Sequence, residues 1–198
     1  MQGLRTIDPM DLVSEIAKTY DRDPAHSEKV ANFSLVIFDD LQTLHRYGRD
    51  ERQMLKMAGI LHDIGYSQND QRPHNKASRD MILEMDIPGL SNTEKLTTAL
   101  IARYHRGELP DASQHQHFAS LPRDQREIVE WLAGILRVAD ALDCRHLDIV
   151  RKLAVEVGNR QLTFSLDAKT DCREQVKRAR EKEELLVVKS GKEIKYRY

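Results

Sequence analysis

The sequence predicts a mainly α protein, a helical bundle carrying a small C-terminal α+β appendage. Three observations lead there. Val30, Phe33, Ile37, Leu41 and Leu44 recur at three- and four-residue steps, the period of a helix with one buried face. Helix-start signals repeat along the first part of the chain, at Asp8-Pro9, at Asp23-Pro24 and at Ser91 with Glu94. After about residue 150 the pattern changes to short apolar or alternating runs broken by Gly158-Asn159 and Ser190-Gly191, the signature of strands and tight turns.

In chain order, Asp8-Pro9 opens a short helix to about residue 20, and Asp23-Pro24 opens a longer one that Gly48 ends. A third helix begins near residue 50, encloses Met54, Leu55, Ala58 and Leu61, and stops near Gly65. Residues 66–73 are polar and read as a loop. A fourth helix covers about 74–85 and ends before Ile87-Pro88-Gly89, and the Ser91/Glu94 box opens a fifth that runs to about residue 105. Residues 107–122 read as a loop holding His115 and His117, and a last long helix covers about 123–145. Beyond it, 153–157 and 161–166 read as a hairpin, 171–184 as a charged helix, and 185–189 with 193–198 as a second hairpin. This divides the chain into a helical domain at 1–150 and a small α+β subdomain at 151–198.

Composition narrows the function. The 198 residues hold 31 basic and 32 acidic side chains, a formal net charge of -1, so no global basic field favours nucleic acid or a membrane surface. No apolar run is long enough to span a bilayer, and the N-terminal segment lacks an apolar signal core, so a cytoplasmic location is expected. Cys144 and Cys172 form no CxxC pair and read as ordinary thiols. The histidines carry more information, since five of the eight lie between residues 26 and 105.

The central motif is Leu61-His62-Asp63-Ile64-Gly65. Adjacent His and Asp can converge on a metal at a helix C-terminus, where Gly65 breaks the helix. His26, near the start of the second helix, and Asp140, late in the last, complete a set of imidazole and carboxylate ligands that suits Mn, Fe, Co, Ni or Zn, with Mg a further candidate. His74 and His105 stand at helix edges and could complete a second metal site if Asp63 bridges. His45, His115, His117 and His146 have no place in the set and read as surface histidines; Asp143 reads as a salt-bridging or capping residue.

The ordered set resembles the HD phosphohydrolase superfamily. The stretches LHDIGY, PHNKAS, DIPGLSNTEKL, IARYHRGELP and LAGILRVADALD are similar to the C-terminal HD region of the exopolyphosphatase / guanosine-pentaphosphate phosphatase (Ppx/GppA) family, over nearly the whole chain. The resemblance implies a first metal on His26, His62, Asp63 and Asp140, and a second on His74 and His105, one or two ions in all. Two departures stand out. Asn75 and Ala77 occupy places where that family often has histidine. The actin-like ATPase-type domain to which the family's polyphosphate chemistry belongs is not found in these residues, so that activity is not expected.

What the resemblance implies is a metal-dependent phosphohydrolase acting on a nucleotide or other phosphate ester or anhydride. His62 and Asp63 would stand at the reacting centre, Asp63 orienting a metal-activated water. Lys76, Arg103 and Arg106, close to the ligands in sequence, are the candidate substrate-binding cations. A non-catalytic regulatory module binding a nucleotide or a partner protein is the alternative, and a di-iron redox centre on the same ligands a third. The expected partner is a phosphorylated small molecule or nucleotide, and an exposed C-terminal strand edge suggests a homodimer.

Overall fold

A computed structural model describes residues 8–68 and 71–198; of the expected loop at 66–73, residues 69 and 70 lie outside the described residues, as does the segment 1–7. The chain is mainly helical with a small three-stranded sheet near its C-terminal end, as its sequence predicts. The first helix, α1 (Pro9–Tyr20), is capped by the Asp8 carboxylate, which accepts from Met10 N at 2.9 Å. Next, α2 (Pro24–Asp40) begins at the Asp23 cap and turns at Leu41 into the single turn α3 (Gln42–His45), closed by Arg46 in the left-handed region. It is therefore shorter than its apolar period suggests. His45 is buried rather than superficial, its Nε2 lying 2.9 Å from Phe38 O.

Helix α4 (Arg49–Leu61) runs into a 3₁₀ turn at Ile64–Ser67, and α5 (His74–Glu84) and α6 (Asn92–Arg103) follow, α6 behind the expected Ser91/Glu94 capping box. A short α7 (Gln116–Ala119) interrupts the loop predicted at 107–122. Helix α8 (Arg123–Leu142) is the organising element. Its buried residues include Ile128, Leu132, Ile135, Leu136 and Ala139, and it packs against α2, α4 and α6 on the bundle side. Among the described residues no helix is long and apolar enough to cross a membrane.

The appendage differs from its expected form in one respect. Strands β1 (Val150–Val157) and β2 (Gln161–Ala168) make the antiparallel hairpin around Gly158-Asn159, with Val155 opposite Phe164. The charged helix α9 (Arg173–Arg180) also forms. The second hairpin does not: residues 185–189 lie in α10 (Glu184–Ser190), and Ser190-Gly191 is a helix end, with Gly191 at φ +65° closing the last turn. The final strand β3 (Glu193–Arg197) pairs parallel to β2, with Leu162 opposite Ile194. A parallel neighbour needs a crossover, and α9 and α10 supply it. Both helices pack on α8, so Leu186 and Val176 join one continuous apolar core with Ile135 and Leu132. Gly134 makes this approach possible: a Cβ there would stand 3.1 Å from Leu186 N.

Candidate metal centre

The residues singled out in the sequence come from five helices and meet at one end of the bundle. His26 sits in the first turn of α2, where the Asp23 carboxylate caps its backbone N–H at 3.2 Å. His62 and Asp63 follow the last turn of α4. There the chain must pass close to α5: a Cβ on Gly65 would overlap the carbonyl oxygen of His74 and stand 2.6 Å from Ser78 N. The Ser78 hydroxyl fastens this crossing, donating to His62 O at 2.7 Å and accepting from Gly65 N at 2.9 Å. His74 opens α5, His105 follows the end of α6, and Asp140 occupies the last turn of α8.

The side chains converge closely. His26 Nε2 lies 3.5 Å from Asp140 Oδ1 and 4.0 Å from Asp63 Oδ2, and His62 Nε2 lies 3.9 Å from Asp140 Oδ1. Asp63 Oδ1 stands 3.5, 3.2 and 3.6 Å from the Nε2 atoms of His62, His74 and His105, and those of His74 and His105 are 3.2 Å apart. Two groups within this cluster bring their ligand atoms within 4.8 Å of one another: His26, His62 and Asp140, and His62, Asp63 and His105. His74 Nε2, close to both Asp63 and His105, extends the second.

Each of three rings is fixed from behind. His62 Nδ1 lies 2.7 Å from Gly59 O, His105 Nδ1 lies 2.7 Å from Ala102 O, and His26 Nδ1 lies 2.8 Å from Asp143 Oδ2. An acceptor on Nδ1 holds a proton there, so the lone pair that Nε2 would offer a cation faces the centre. The Nε2 atoms of His26 and His62 are buried and have no hydrogen-bond partner. Buried polar atoms are almost always satisfied. Two such nitrogens turned toward two carboxylates, with separations near those that metal–ligand bonds of about 2.1 Å produce, fit a divalent cation.

The electrostatics follow from this crowding. Burial alone would lower the pKa of His26, but the carboxylates of Asp140, Asp143 and Asp63 push it up to about 10. His105 has burial and the neighbouring His62 acting together and falls to about 3. Burial would raise Asp63 and Asp140, yet the surrounding imidazoles prevail and hold both carboxyls well below the usual carboxylate range.

The flanking cations differ in what they already bind. Lys76 Nζ lies 3.8 Å from Glu108, and the buried Arg103 donates to the same carboxylate at 2.8 Å with its guanidinium near the Tyr104 ring. Arg106 lies close enough to Tyr66 and Lys182 to influence their ionisation. Asn75 ties the segment that carries His105, its amide donating to Arg103 O at 2.7 Å and Arg106 O at 3.1 Å. Arg137 acts similarly from α8, with Nη1 donating to Tyr104 O and Gly107 O and Nε to Lys182 O.

Four further residues belong to the site. Asp143, expected to form a salt bridge, does so with Lys29 at 2.8 Å and also holds His26; its place one turn after Asp140 was the available signal. His146 is exposed, as expected, but it lies on a turn in which Arg145, His146 and Asp148 are all left-handed, and its ring stacks on His26 with centroids 3.7 Å apart. Tyr66 stacks on His74 at 3.8 Å. Lys182, from the turn between α9 and α10, places Nζ 3.5 Å from Asp140 Oδ2. Burial lowers its pKa.

The family described as Ppx/GppA phosphatase, domain III, matches residues 10–185, which take in all of these side chains. A search of curated proteins found no match.

Proposed function

This chain belongs to the Ppx/GppA phosphatase family through its domain III, and on that premise we propose that it is a metal-dependent phosphohydrolase of the HD type. The substrate class is a nucleotide or another phosphate ester or anhydride. The observation that carries the reading is the pair of buried, unpartnered Nε2 atoms of His26 and His62 facing Asp63 and Asp140.

In this reading His26, His62, Asp63 and Asp140 hold one divalent cation, and His74 and His105 hold a second together with Asp63. Bound there, such a cation supplies a hydroxide at neutral pH and a positive charge for the phosphoryl oxygens. The protein does the rest. Asp63 stays ionised in its ring of imidazoles and accepts a hydrogen bond from the attacking water, which orients it. The Nδ1 anchors keep the Nε2 atoms of His26, His62 and His105 directed inward, so these rings need no rearrangement before reaction. Arg106 offers charge-assisted donors to the phosphoryl group.

The test is hydrolysis of a phosphate panel (nucleoside mono-, di- and triphosphates, cyclic nucleotides, guanosine tetraphosphate, polyphosphate) with Mn²⁺, with chelator, and beside Asp63→Ala. Metal-dependent turnover that Asp63→Ala abolishes supports the reading; no turnover with any divalent metal overturns it.

A second reading has its own observation. Asn75 and Ala77 stand where the resemblance leads one to expect histidine, and Asn75 is committed to holding backbone carbonyls. A regulatory module that keeps a metal and binds a nucleotide without cleaving it would show a large thermal shift on adding nucleotide and no product.

A further inference from the structure

Substrate phosphate brings negative charge to the centre, and most nearby cations are already committed. Lys29 bridges Asp143 and Asp148 at 2.8 and 2.7 Å. Lys76 and Arg103 share Glu108. Arg137 donates to three backbone carbonyls. Lys182 is different. Its side chain is only 25% exposed, yet its contact with the site is one long pairing, 3.5 Å to Asp140 Oδ2. An ammonium carries three donors and is strongly hydrated, so sheltering it for a single long contact is costly unless something else takes those donors.

The fold delivers this residue deliberately. Lys182 lies on the crossover turn between α9 and α10, its carbonyl fixed by Arg137 from α8. Arg137 also holds the carbonyls of Tyr104 and Gly107, on either side of His105 and Arg106. One guanidinium therefore sets the spacing between the segment bearing Arg106 and the turn bearing Lys182.

Resting on the phosphohydrolase reading above, we propose that Lys182 is a substrate-binding residue, taking a phosphoryl oxygen beside Asp140 with Arg106 as its companion, and that the substrate class is a terminal phosphate rather than an internal phosphodiester. A terminal phosphate is a dianion near neutral pH with three free oxygens, so it can occupy the metal centre and two side-chain cations together. A diester has one negative charge and two free oxygens, which leaves one of the two cations uncompensated.

The probe is inorganic phosphate, titrated calorimetrically into the Mn²⁺-loaded protein, with p-nitrophenyl phosphate and bis-p-nitrophenyl phosphate as kinetic substrates. Lys182→Met is expected to weaken phosphate binding and raise KM for the monoester by about tenfold to a hundredfold, the range for a hydrogen bond to a charged group. Mn²⁺ stoichiometry and the circular dichroism spectrum should stay unchanged. Lys182→Arg should recover part of the loss, and Lys177→Met, on the exposed side of α9, should match wild type. If Lys182→Met binds phosphate as wild type does, or loses affinity only because Mn²⁺ is lost, the assignment of Lys182 is wrong. Faster hydrolysis of the diester overturns the terminal-phosphate class. If wild type with Mn²⁺ neither binds phosphate nor hydrolyses either substrate, the phosphohydrolase reading itself fails.

Discussion

Asp143 Oδ2 stands 2.8 Å from His26 Nδ1, and the partner of that ring's other nitrogen is thereby decided. The carboxylate holds a proton on Nδ1 and turns Nε2 toward Asp140 and Asp63. The Asp143 carboxylate pairs with no other candidate ligand, yet it governs one of them. Asp143→Asn keeps the shape and removes the charge that fixes the tautomer. The expected result is a Mn²⁺ affinity about tenfold to a hundredfold weaker in an otherwise folded protein, the usual effect of losing such a partner. Titration of the metal-free protein with Mn²⁺ checks it; an unchanged affinity would show that Asp143 serves only its bridge to Lys29.

Gly65 is where α4 must pass α5 without a side chain. A Cβ there meets backbone of His74 and Ser78, which no rotamer change relieves. Gly65→Ala is expected to cost about 1–3 kcal/mol and to disturb His62 and His74 together. Urea unfolding and metal stoichiometry read the two effects, and a variant with wild-type values in both would mean the crossing is looser than its geometry indicates.

Removing the Arg137 guanidinium should act on two segments at once. Arg137→Met leaves the carbonyls of Tyr104, Gly107 and Lys182 without this donor, and the buried one, on Tyr104, costs about 1–3 kcal/mol when unpaired. The expected signature is a lower urea midpoint together with faster amide exchange at both 104–107 and 182–184. Faster exchange at one segment alone would argue against a shared staple.

The pH dependence of the metal-free protein has a definite sign. The pKa of His26 in the fold is about 10, above its ordinary value. The protonated ring therefore stabilises the fold in full below about pH 6.5, and this contribution is lost as pH rises toward 10. Asp63 and Asp140, held low, act oppositely: their contribution is present above the usual carboxylate range and falls away in strong acid. Urea midpoints measured on chelator-treated protein should thus decline between pH 6.5 and 10, and His26→Gln should flatten that decline. A midpoint that rises over this window contradicts the charge state assigned to His26.

Much of the centre was legible because its residue types are specific and helix order is nearly sequence order. His26, His62, Asp63, His74, His105 and Asp140 each lie at or near a helix end that caps, glycine or period had marked. Asp143 needed only the helical repeat. Lys182 could not be read, since its place depends on a parallel crossover that no local signal announces. The same region misled the secondary-structure reading: Leu185, Leu186, Val187 and Val188 form a short apolar run that suits a strand or a buried helical turn equally well. The tertiary packing settles it, burying Leu185 and Leu186 against α8 while Val188 remains 69% exposed.

The parallel pairing of β3 with β2 also has a consequence for how the molecule comes into being. A ribosome releases every candidate metal ligand, residues 26 to 140, well before it releases Lys182 and the strand 193–197 that closes the crossover. Domains begin to fold during synthesis from the N-terminal side. A nascent chain can thus assemble its histidines and carboxylates early, while the cation beside Asp140 arrives only once residue 182 has emerged. The centre would thus take shape in two stages during synthesis, its ligands first and the crossover cation after them.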